Sequence, residues 1–429
     1  MTSNPLLAVG ALAVLLLVYA LLAQRLSTTV VSAAMFFLLG GVAIGPQGLG
    51  VLDTSLTSST VEVLAEGTLA LVLFSDASRI RLSALRRDAS WPVRLLGVGL
   101  PLTIVAGTVV ALVVLPELLF AEALVLAVIL APTDAALGLA VVSDSRLPGR
   151  LRQALNVESG LNDGICVPLL VIALAWADAE SSALTAAESL RVTAEAIGYG
   201  VLFGLLVGAV AAVSLRAALK RGWSGGGWEQ VVPLAAAVGA FAVADWAGGS
   251  GFIAAFTGGL VFGALVREHE SVGRLLEEVG GVTNALTFIV LGAIVVIPAL
   301  EDIDLRLLGY AVLSLTVVRM LPVALAMWGT RARAVSVSFI GWFGPRGLAS
   351  LVFLVSVIDT DGLPHQDLLV TAGVVTVLLS VFAHGITAVP LTNRYVSWFT
   401  AQQTTPGVES SLVREHRFRG QMARSGGPP

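Results

Sequence analysis

The sequence predicts an all-α polytopic membrane protein with about thirteen transmembrane helices. Three observations indicate this class: 56% of the 429 residues are hydrophobic, only 13% are charged, and apolar runs of spanning length recur along the chain. Soluble domains carry about 25% charged residues, and a helix needs about 20 apolar residues to cross a bilayer. A single cysteine and four unclustered histidines exclude a disulfide framework and argue against a structural zinc or haem site.

Thirteen apolar segments are the candidate spans. Their approximate cores are Pro5–Ala23, Thr29–Gly45, Val61–Phe74, Val93–Leu115, Ala121–Val142, Ala154–Trp176, Thr193–Leu215, Trp228–Trp246, Phe252–Val266, Val282–Ala299, Leu305–Trp328, Val335–Ile358 and Leu368–Pro390. The first has no preceding basic residue and no cleavage site, so we interpret it as a retained span.

The charges of the connecting loops alternate along the chain. Loops after odd-numbered spans carry basic residues, among them Arg25, Arg79, Arg146, Arg150, Arg216, Lys220, Arg331 and Arg394. The other loops are acidic, with Glu117, Asp178, Glu180, Glu188, Asp304 and Asp367, and only Arg191 and Arg306 as basic exceptions. Because positive loops stay in the cytoplasm, the N-terminus is expected outside and the C-terminus inside. The polar tail, residues 401–429, is expected to be disordered cytoplasmic sequence.

Ionisable side chains inside apolar spans are costly, and by default they indicate function. Such residues are Asp134 in the fifth span, Glu158 and Asp163 in the sixth, Arg319 in the eleventh and Arg346 in the twelfth, with Asp76 at the inner end of the third. Ser159 and Asp163 share one helical face, which offers hard oxygen ligands of the kind that sodium prefers. Glu158 and Asn162 share the neighbouring face. A buried arginine needs a fixed anion, so Glu158 is expected to pair with Arg319 or Arg346.

Two spans are interrupted near their middle, the fifth by Pro132 and the twelfth by Gly344-Pro345. Proline removes a helical hydrogen bond, and freed backbone is tolerated in a membrane only where protein or a water-filled cavity satisfies it. Each break falls in the second member of a triplet, spans four to six and eleven to thirteen, and the triplets run in opposite directions. This arrangement predicts inverted repeats, as in secondary transporters. Asp134 is expected to complement half-helix N-termini, and Arg346 half-helix C-termini.

These motifs resemble a known family. Pro132-Thr-Asp134 followed by Glu158-Ser-Gly-Leu-Asn-Asp-Gly164 is similar to the cation/proton antiporters of the NhaP type and the eukaryotic sodium/proton exchangers. Leu73-Phe-Ser-Asp76, Arg319 and Gly344-Pro-Arg-Gly347 extend the resemblance over most of the membrane region. It implies a transmembrane antiporter domain over residues 1–400. Its core helices, about 93–176 and 305–390, contain two broken crossing helices, and the other helices form a dimerisation scaffold.

The resemblance also implies residue roles. The aspartate matching Asp163 binds either the cation or the proton, and Asp134, Thr133, Ser159 and Asp76 help to coordinate the ion. Asn162 in place of an aspartate is typical of the electroneutral branch, whereas Asp76 departs from the glutamate of many relatives.

We therefore expect an antiporter and not an enzyme. It would exchange sodium or lithium for protons in a ratio of one to one, in the plasma membrane as a homodimer, with no cofactor and no nucleic-acid partner. Potassium/proton exchange is the alternative within the class. An intramembrane aspartyl protease using Asp134 and Asp163 is the remote alternative, and no Gly-x-Gly-Asp string supports it.

Overall fold

The computed structural model describes residues 5–26, 29–52, 58–80, 90–181, 186–266, 272–301, 303–358, 363–402 and 408–410, and within these ranges all regular structure is helical. The helices are α1 Pro5–Leu26, α2 Ala33–Ile44, α3 Ser58–Ser78, α4 Ser90–Val114, α5 Phe120–Ile129, α6 Leu139–Val142, α7 Gly149–Ser181, α8 Ala186–Lys220, α9 Val231–Trp246, α10 Gly251–Leu265, α11 Arg274–Ile294, α12 Val296–Glu301, α13 Leu305–Leu315, α14 Val317–Ala326, α15 Ala334–Trp342, α16 Leu348–Ile358 and α17 Gln366–Ala401. The predicted fold class is confirmed.

Each predicted apolar segment coincides with one helix or with two consecutive helices. Within the described ranges, 7 helices are long and apolar enough to cross a membrane, namely those at Leu6–Leu26, Ser90–Val114, Gly149–Glu180, Glu188–Lys220, Arg274–Ile294, Leu305–Ala326 and Gln366–Ala401. The shorter apolar helices lie between them in sequence. The count of thirteen crossings stays a prediction.

The two predicted breaks have the same local form. Helix α5 ends at Ile129 and Pro132 follows, while α15 ends at Trp342 and Pro345 follows. Because the residue before a proline disfavours helical backbone, each helix stops just ahead of its proline. The chain then continues without helical structure to α6 and α16 respectively. Both breaks therefore leave backbone N–H and C=O groups without helical hydrogen-bond partners in the middle of an apolar segment.

The helices pack in two groups that meet along α7. Helix α10 packs against α8, α3 and α9, and α11 packs against α2 and α3. Helix α4 packs against α5, α13 and α14, while α17 packs against α13 and α16. Helix α7 contacts α5 in the second group and α8, α3 and α10 in the first. The broken helices and α7 thus belong to one packed unit beside a second one.

Glycines allow a close helix contact between α8 and α10. Gly200, Gly204 and Gly208 lie four residues apart on α8, and a Cβ atom added at Gly208 would meet the backbone of Gly258. Such small-residue stripes let membrane helices approach closely without a hydrophobic driving force between them.

Loops that were predicted on the same side of the membrane contact one another. At one end, Arg306 pairs with Glu117 and Asp304, which neutralises one of the basic exceptions in the acidic loops. At the other end, Arg146 donates to Asn393. These contacts fit the predicted alternation, while the end that faces the cytoplasm stays a prediction.

A short part of the tail differs from the expectation of disorder. Val408–Ser410 form a 3-10 turn, and Glu409 is only 1% exposed. Its carboxylate accepts from the backbone N–H of Arg333 at 2.8 Å and from Ser336 Oγ at 3.1 Å. The turn therefore covers the N-terminal end of α15. The rest of the tail, residues 403–407 and 411–429, lies outside the described residues.

Candidate functional site

The two breaks cross each other at hydrogen-bond distance. The backbone N–H of Asp134, in the first break, donates to the carbonyl of Pro345, in the second, at 2.7 Å. Ser350 Oγ, in the first turn of α16, donates to the carbonyl of Ile129 at the end of α5, at 2.7 Å. Each break therefore satisfies backbone groups that the other has freed from helical bonding.

Asp134 binds the N-terminal ends of the helical segments that follow both breaks. Its Oδ2 accepts from the backbone N–H of Leu348, the first residue of α16, at 2.9 Å. Its Oδ1 accepts from the N–H groups of Ala136 at 2.7 Å and Leu137 at 3.2 Å. A carboxylate at a helix N-terminus is stabilised by the helix dipole and by these orphan donors. The predicted complement of Asp134 to half-helix N-termini is confirmed.

Arg346 binds the C-terminal end of the helix that precedes the first break. Its guanidinium, 0% exposed, donates through Nη1 to the carbonyls of Ala131 at 2.5 Å and Pro132 at 2.8 Å. These carbonyls follow the last turn of α5, where the dipole is negative and carbonyls lack helical partners. The predicted complement of Arg346 to a half-helix C-terminus is likewise confirmed.

The glycines that flank Pro345 and Arg346 make room for charged side chains. A Cβ atom added to Gly347 would collide with Oδ2 of Asp134, and one added to Gly344 would collide with the guanidinium of Arg319. Only a residue without a side chain lets both charged groups approach the second break. The Gly-Pro-Arg-Gly motif is explained by this crowding.

Glu158, for which the sequence left two arginines open, contacts Arg319. Arg319 Nη1 donates to Glu158 Oε1 at 2.5 Å, and both residues are 3% exposed. Arg346 also lies close enough to Glu158 and Arg319 for direct electrostatic interaction. The carboxylate of Glu158 therefore offsets positive charge from α14 and from the second break.

Three polar side chains join the first break to the middle of α7. Thr133 Oγ1 lies 3.0 Å from Ser159 Oγ, and Asn162 Nδ2 donates to Thr133 Oγ1 at 2.7 Å. Asn162 shares a helical face with Glu158, yet it contacts the break and not an arginine. Two hydroxyl oxygens and the first break are thereby held beside α7.

Asp163 lies one helical turn beyond Ser159 on α7 and is 7% exposed. Asp76 is half-buried on α3. The Cβ atom of Asp76 would lie 3.9 Å from a Cβ atom added to Gly160, so α3 approaches α7 within one turn of Asp163. The structure thus gathers Thr133, Asp134, Ser159, Asn162, Asp163 and Asp76 around one stretch of α7.

Two cavities reach this region. A cavity of about 10 Å³ is lined by Asp134, Asn156 and Ser159, and it has space for about one water molecule. A larger cavity of about 610 Å³, which we call the vestibule, is lined by the end of α1, the segment that leads into α2, residues 136–146 around α6, and α17. The vestibule reaches Ala136, whose N–H binds Asp134.

Sequence reasoning missed His384, a buried residue of α17 that contacts the second break. His384 Nε2 lies 2.8 Å from the carbonyl of Trp342, the last residue of α15. The rule that drew attention to Asp163, an ionisable residue inside an apolar span, applies equally to His384.

The fold and the site together define a class, the multi-pass membrane carriers with crossed broken helices. Residues 12–394 match the family described as sodium/hydrogen exchanger, transmembrane. The chain belongs to this family, whose members are transporters.

Related proteins agree with this assignment. The chain is 28% identical over 395 residues to a protein named K(+)/H(+) antiporter NhaP2 of Shewanella oneidensis, an alignment that covers 89% of this chain and 65% of that protein. It is 26% identical over 358 residues to the Na(+)/H(+) antiporter ApNhaP of Aphanothece halophytica, covering 79% of this chain and 66% of that protein. The chain thus spans somewhat less than two thirds of the length of these relatives.

A solved structure has the same fold. The sodium proton antiporter MjNhaP1 from Methanocaldococcus jannaschii superposes with a TM-score of 0.73 and 22% sequence identity, covering 91% of this chain and 99% of that one.

Proposed function

We propose that this protein is a secondary antiporter that exchanges sodium or lithium for protons in a ratio of one to one. Asp163 alternately binds the cation and the proton. Ser159, Thr133, Asp134 and Asp76 supply further oxygen ligands for the cation.

The observation that carries the proposal is the charge balance of the crossing region. Among the described residues of the two breaks and of the middle of α7 and α14, Arg319 and Arg346 are buried with Asp134, Glu158 and Asp163. Two positive and three negative formal charges leave one negative charge in excess in this buried set, which does not include the half-buried Asp76 on α3. One proton or one monovalent cation neutralises it. Because uncompensated charge is costly in a membrane, the loaded states are favoured for movement across it.

The neutral Asn162 supports the stoichiometry. It holds Thr133 by a hydrogen bond and adds no second carboxylate next to Asp163. A carrier whose loaded states are both neutral moves no net charge in a cycle. It escapes a term of about 2.3 kcal/mol per charge per 100 mV of membrane potential.

We extend the proposal to the assembly and location of the protein. The packed unit that contains α4–α7 and α13–α17 corresponds to the core domain, and the other helices form the scaffold of a homodimer. The protein lies in the plasma membrane, with its N-terminus outside and its C-terminus in the cytoplasm, because the loops after odd-numbered spans are basic and positive loops stay in the cytoplasm.

Proton flux in proteoliposomes, measured with a pH-sensitive dye after addition of sodium, lithium or potassium, tests the activity. Asp163→Asn should abolish the flux, while Asp178→Asn, the same substitution at the end of the same helix, should preserve it. Flux in Asp163→Asn at the wild-type rate would refute the assignment. A current measured for the wild-type protein on a solid-supported membrane would refute the one-to-one ratio. Asn162→Asp, which adds a second carboxylate, is the control for this measurement.

Potassium/proton exchange is the second candidate, because the NhaP2 relative of Shewanella oneidensis carries that name. Proton flux with potassium and none with sodium or lithium would favour it. The role of Asp163 is the same in both cases.

A further inference from the structure

We propose that His384 is a positioning residue for cation binding, because it links the two ends of the second break to α17. The inference rests on the proposed exchange function, and it adds a residue to that function which touches no ion itself.

Both ring nitrogens of His384 have partners at the break. Nε2 lies 2.8 Å from the carbonyl oxygen of Trp342, which only accepts hydrogen bonds. Nδ1 lies 3.1 Å from Ser380 Oγ and 2.9 Å from the Ser380 carbonyl, one turn earlier on α17. The Ser380 carbonyl also only accepts, so in either neutral tautomer one ring nitrogen donates to a carbonyl, and Ser380 Oγ donates to Nδ1 or accepts from it accordingly.

Ser380 carries the link to the other side of the break. Its Oγ accepts from the backbone N–H of Arg346 at 2.6 Å. One hydrogen-bonded chain therefore runs from Trp342, the last residue before the break, through His384 and Ser380 to Arg346, near the far end of the break. His384 is 2% exposed and Ser380 0%, so water competes little for these groups.

The position of Arg346 matters for the ligand oxygens. Its guanidinium donates to the carbonyl of Pro132, and the next residue, Thr133, contacts Ser159 on α7. A shift of the second break moves the first break with it. The contacts of His384 and Ser380 thereby help to set the position of the Thr133 hydroxyl relative to α7.

Three variants separate this role from a general loss of packing. In His384→Asn the shorter amide no longer reaches Trp342. In His384→Gln the amide nitrogen reaches the position of Nε2 and restores that bond. Ser380→Ala removes the acceptor of the Arg346 N–H. Thr387→Ala is the matched control, since Thr387 Oγ1 accepts from the indole Nε1 of Trp342 at 2.9 Å and leaves the backbone at the break untouched.

The first measurement is the cation dependence of exchange in proteoliposomes. His384→Asn and Ser380→Ala should raise the half-saturating sodium concentration about fivefold to tenfold with a smaller change in maximal rate, as expected for loss of about one hydrogen bond. His384→Gln and Thr387→Ala should stay within about twofold of wild type. Equal effects in Thr387→Ala, or no effect in the first two variants, would overturn the proposal.

Hydrogen–deuterium exchange of the peptide that covers residues 342–348 keeps the two proposals distinguishable. We expect faster deuterium uptake in His384→Asn and Ser380→Ala than in Thr387→Ala, whether or not the protein transports sodium. If wild type catalyses no exchange of any monovalent cation, the proposed function fails while this link stands on the peptide result. Unchanged deuterium uptake in all variants would overturn the link itself.

Discussion

The ion pair between Glu158 and Arg319 makes a sharp prediction for stability. Glu158→Gln should leave the guanidinium of Arg319 buried with no carboxylate beside it. Both residues are 3% exposed and their charged atoms lie 2.5 Å apart, so solvent cannot replace the lost partner. Removing one member of a buried pair costs about 3–5 kcal/mol.

The structure sets the magnitude at the lower end of that range. Among the described residues, Glu158 Oε2 and the Nε and Nη2 atoms of Arg319 make no hydrogen bond, so the pair is held by a single contact. We therefore expect a loss of about 3 kcal/mol. Arg346 also interacts electrostatically with Glu158 and Arg319, so the variant leaves both arginines with less negative charge nearby.

Thermal unfolding of purified protein in detergent measures the effect. Glu117→Gln is the matched control, because it breaks a pair with Arg306 whose side chains are 42% and 55% exposed, and exposed pairs contribute about 0–1 kcal/mol. The double variant Glu158→Met/Arg319→Met should recover much of the stability, since apolar replacement of a buried pair is often neutral. Melting of Glu158→Gln as close to wild type as that of Glu117→Gln would refute the reasoning.

Three further outcomes are expected. Gly347→Ala places a methyl group against the carboxylate in the first break, so it should lower the unfolding free energy by about 1–3 kcal/mol and reduce exchange, whereas Gly280→Ala, in open space, should do neither. Glu409→Ala removes the cap of α15 and should cost about 1 kcal/mol, seen as faster deuterium uptake at its first turn; unchanged uptake would contradict the cap. The hydrogen bond from Arg146 lowers the pKa of Asp144, so its stabilisation is present above about pH 4 and lost as the pH falls. The difference in melting temperature between wild type and Asp144→Asn should accordingly be larger at pH 7 than at pH 3, and a difference independent of pH would contradict it.

Local chemistry was enough for the fold class and for much of the candidate site. Long apolar runs indicate that a segment is surrounded by lipid. Pro132 and Pro345 indicate breaks because proline lacks the backbone N–H that a helix needs. The spacing of Glu158, Ser159 and Asp163 assigned them to neighbouring faces of one helix before any packing was known. The charges of Asp134 and Arg346 were sufficient to match them to opposite helix ends, because the sign of a helix dipole depends only on chain direction.

Only the tertiary structure decided which groups meet across large distances in sequence. Arg319 and Arg346 are both buried arginines in apolar spans, so their chemistry does not distinguish them as partners of Glu158. The position of α14 relative to α7 brings Arg319, and not Arg346, into direct contact with Glu158. The tail residue Glu409 reads as solvated sequence by composition, yet it caps α15 because the end of α17 brings it there. The link from His384 to both sides of the break likewise depends on how α17 packs against α15 and α16. Periodicity places a residue on a face of its own helix, but the neighbour of that face is determined by the packing of all the helices together.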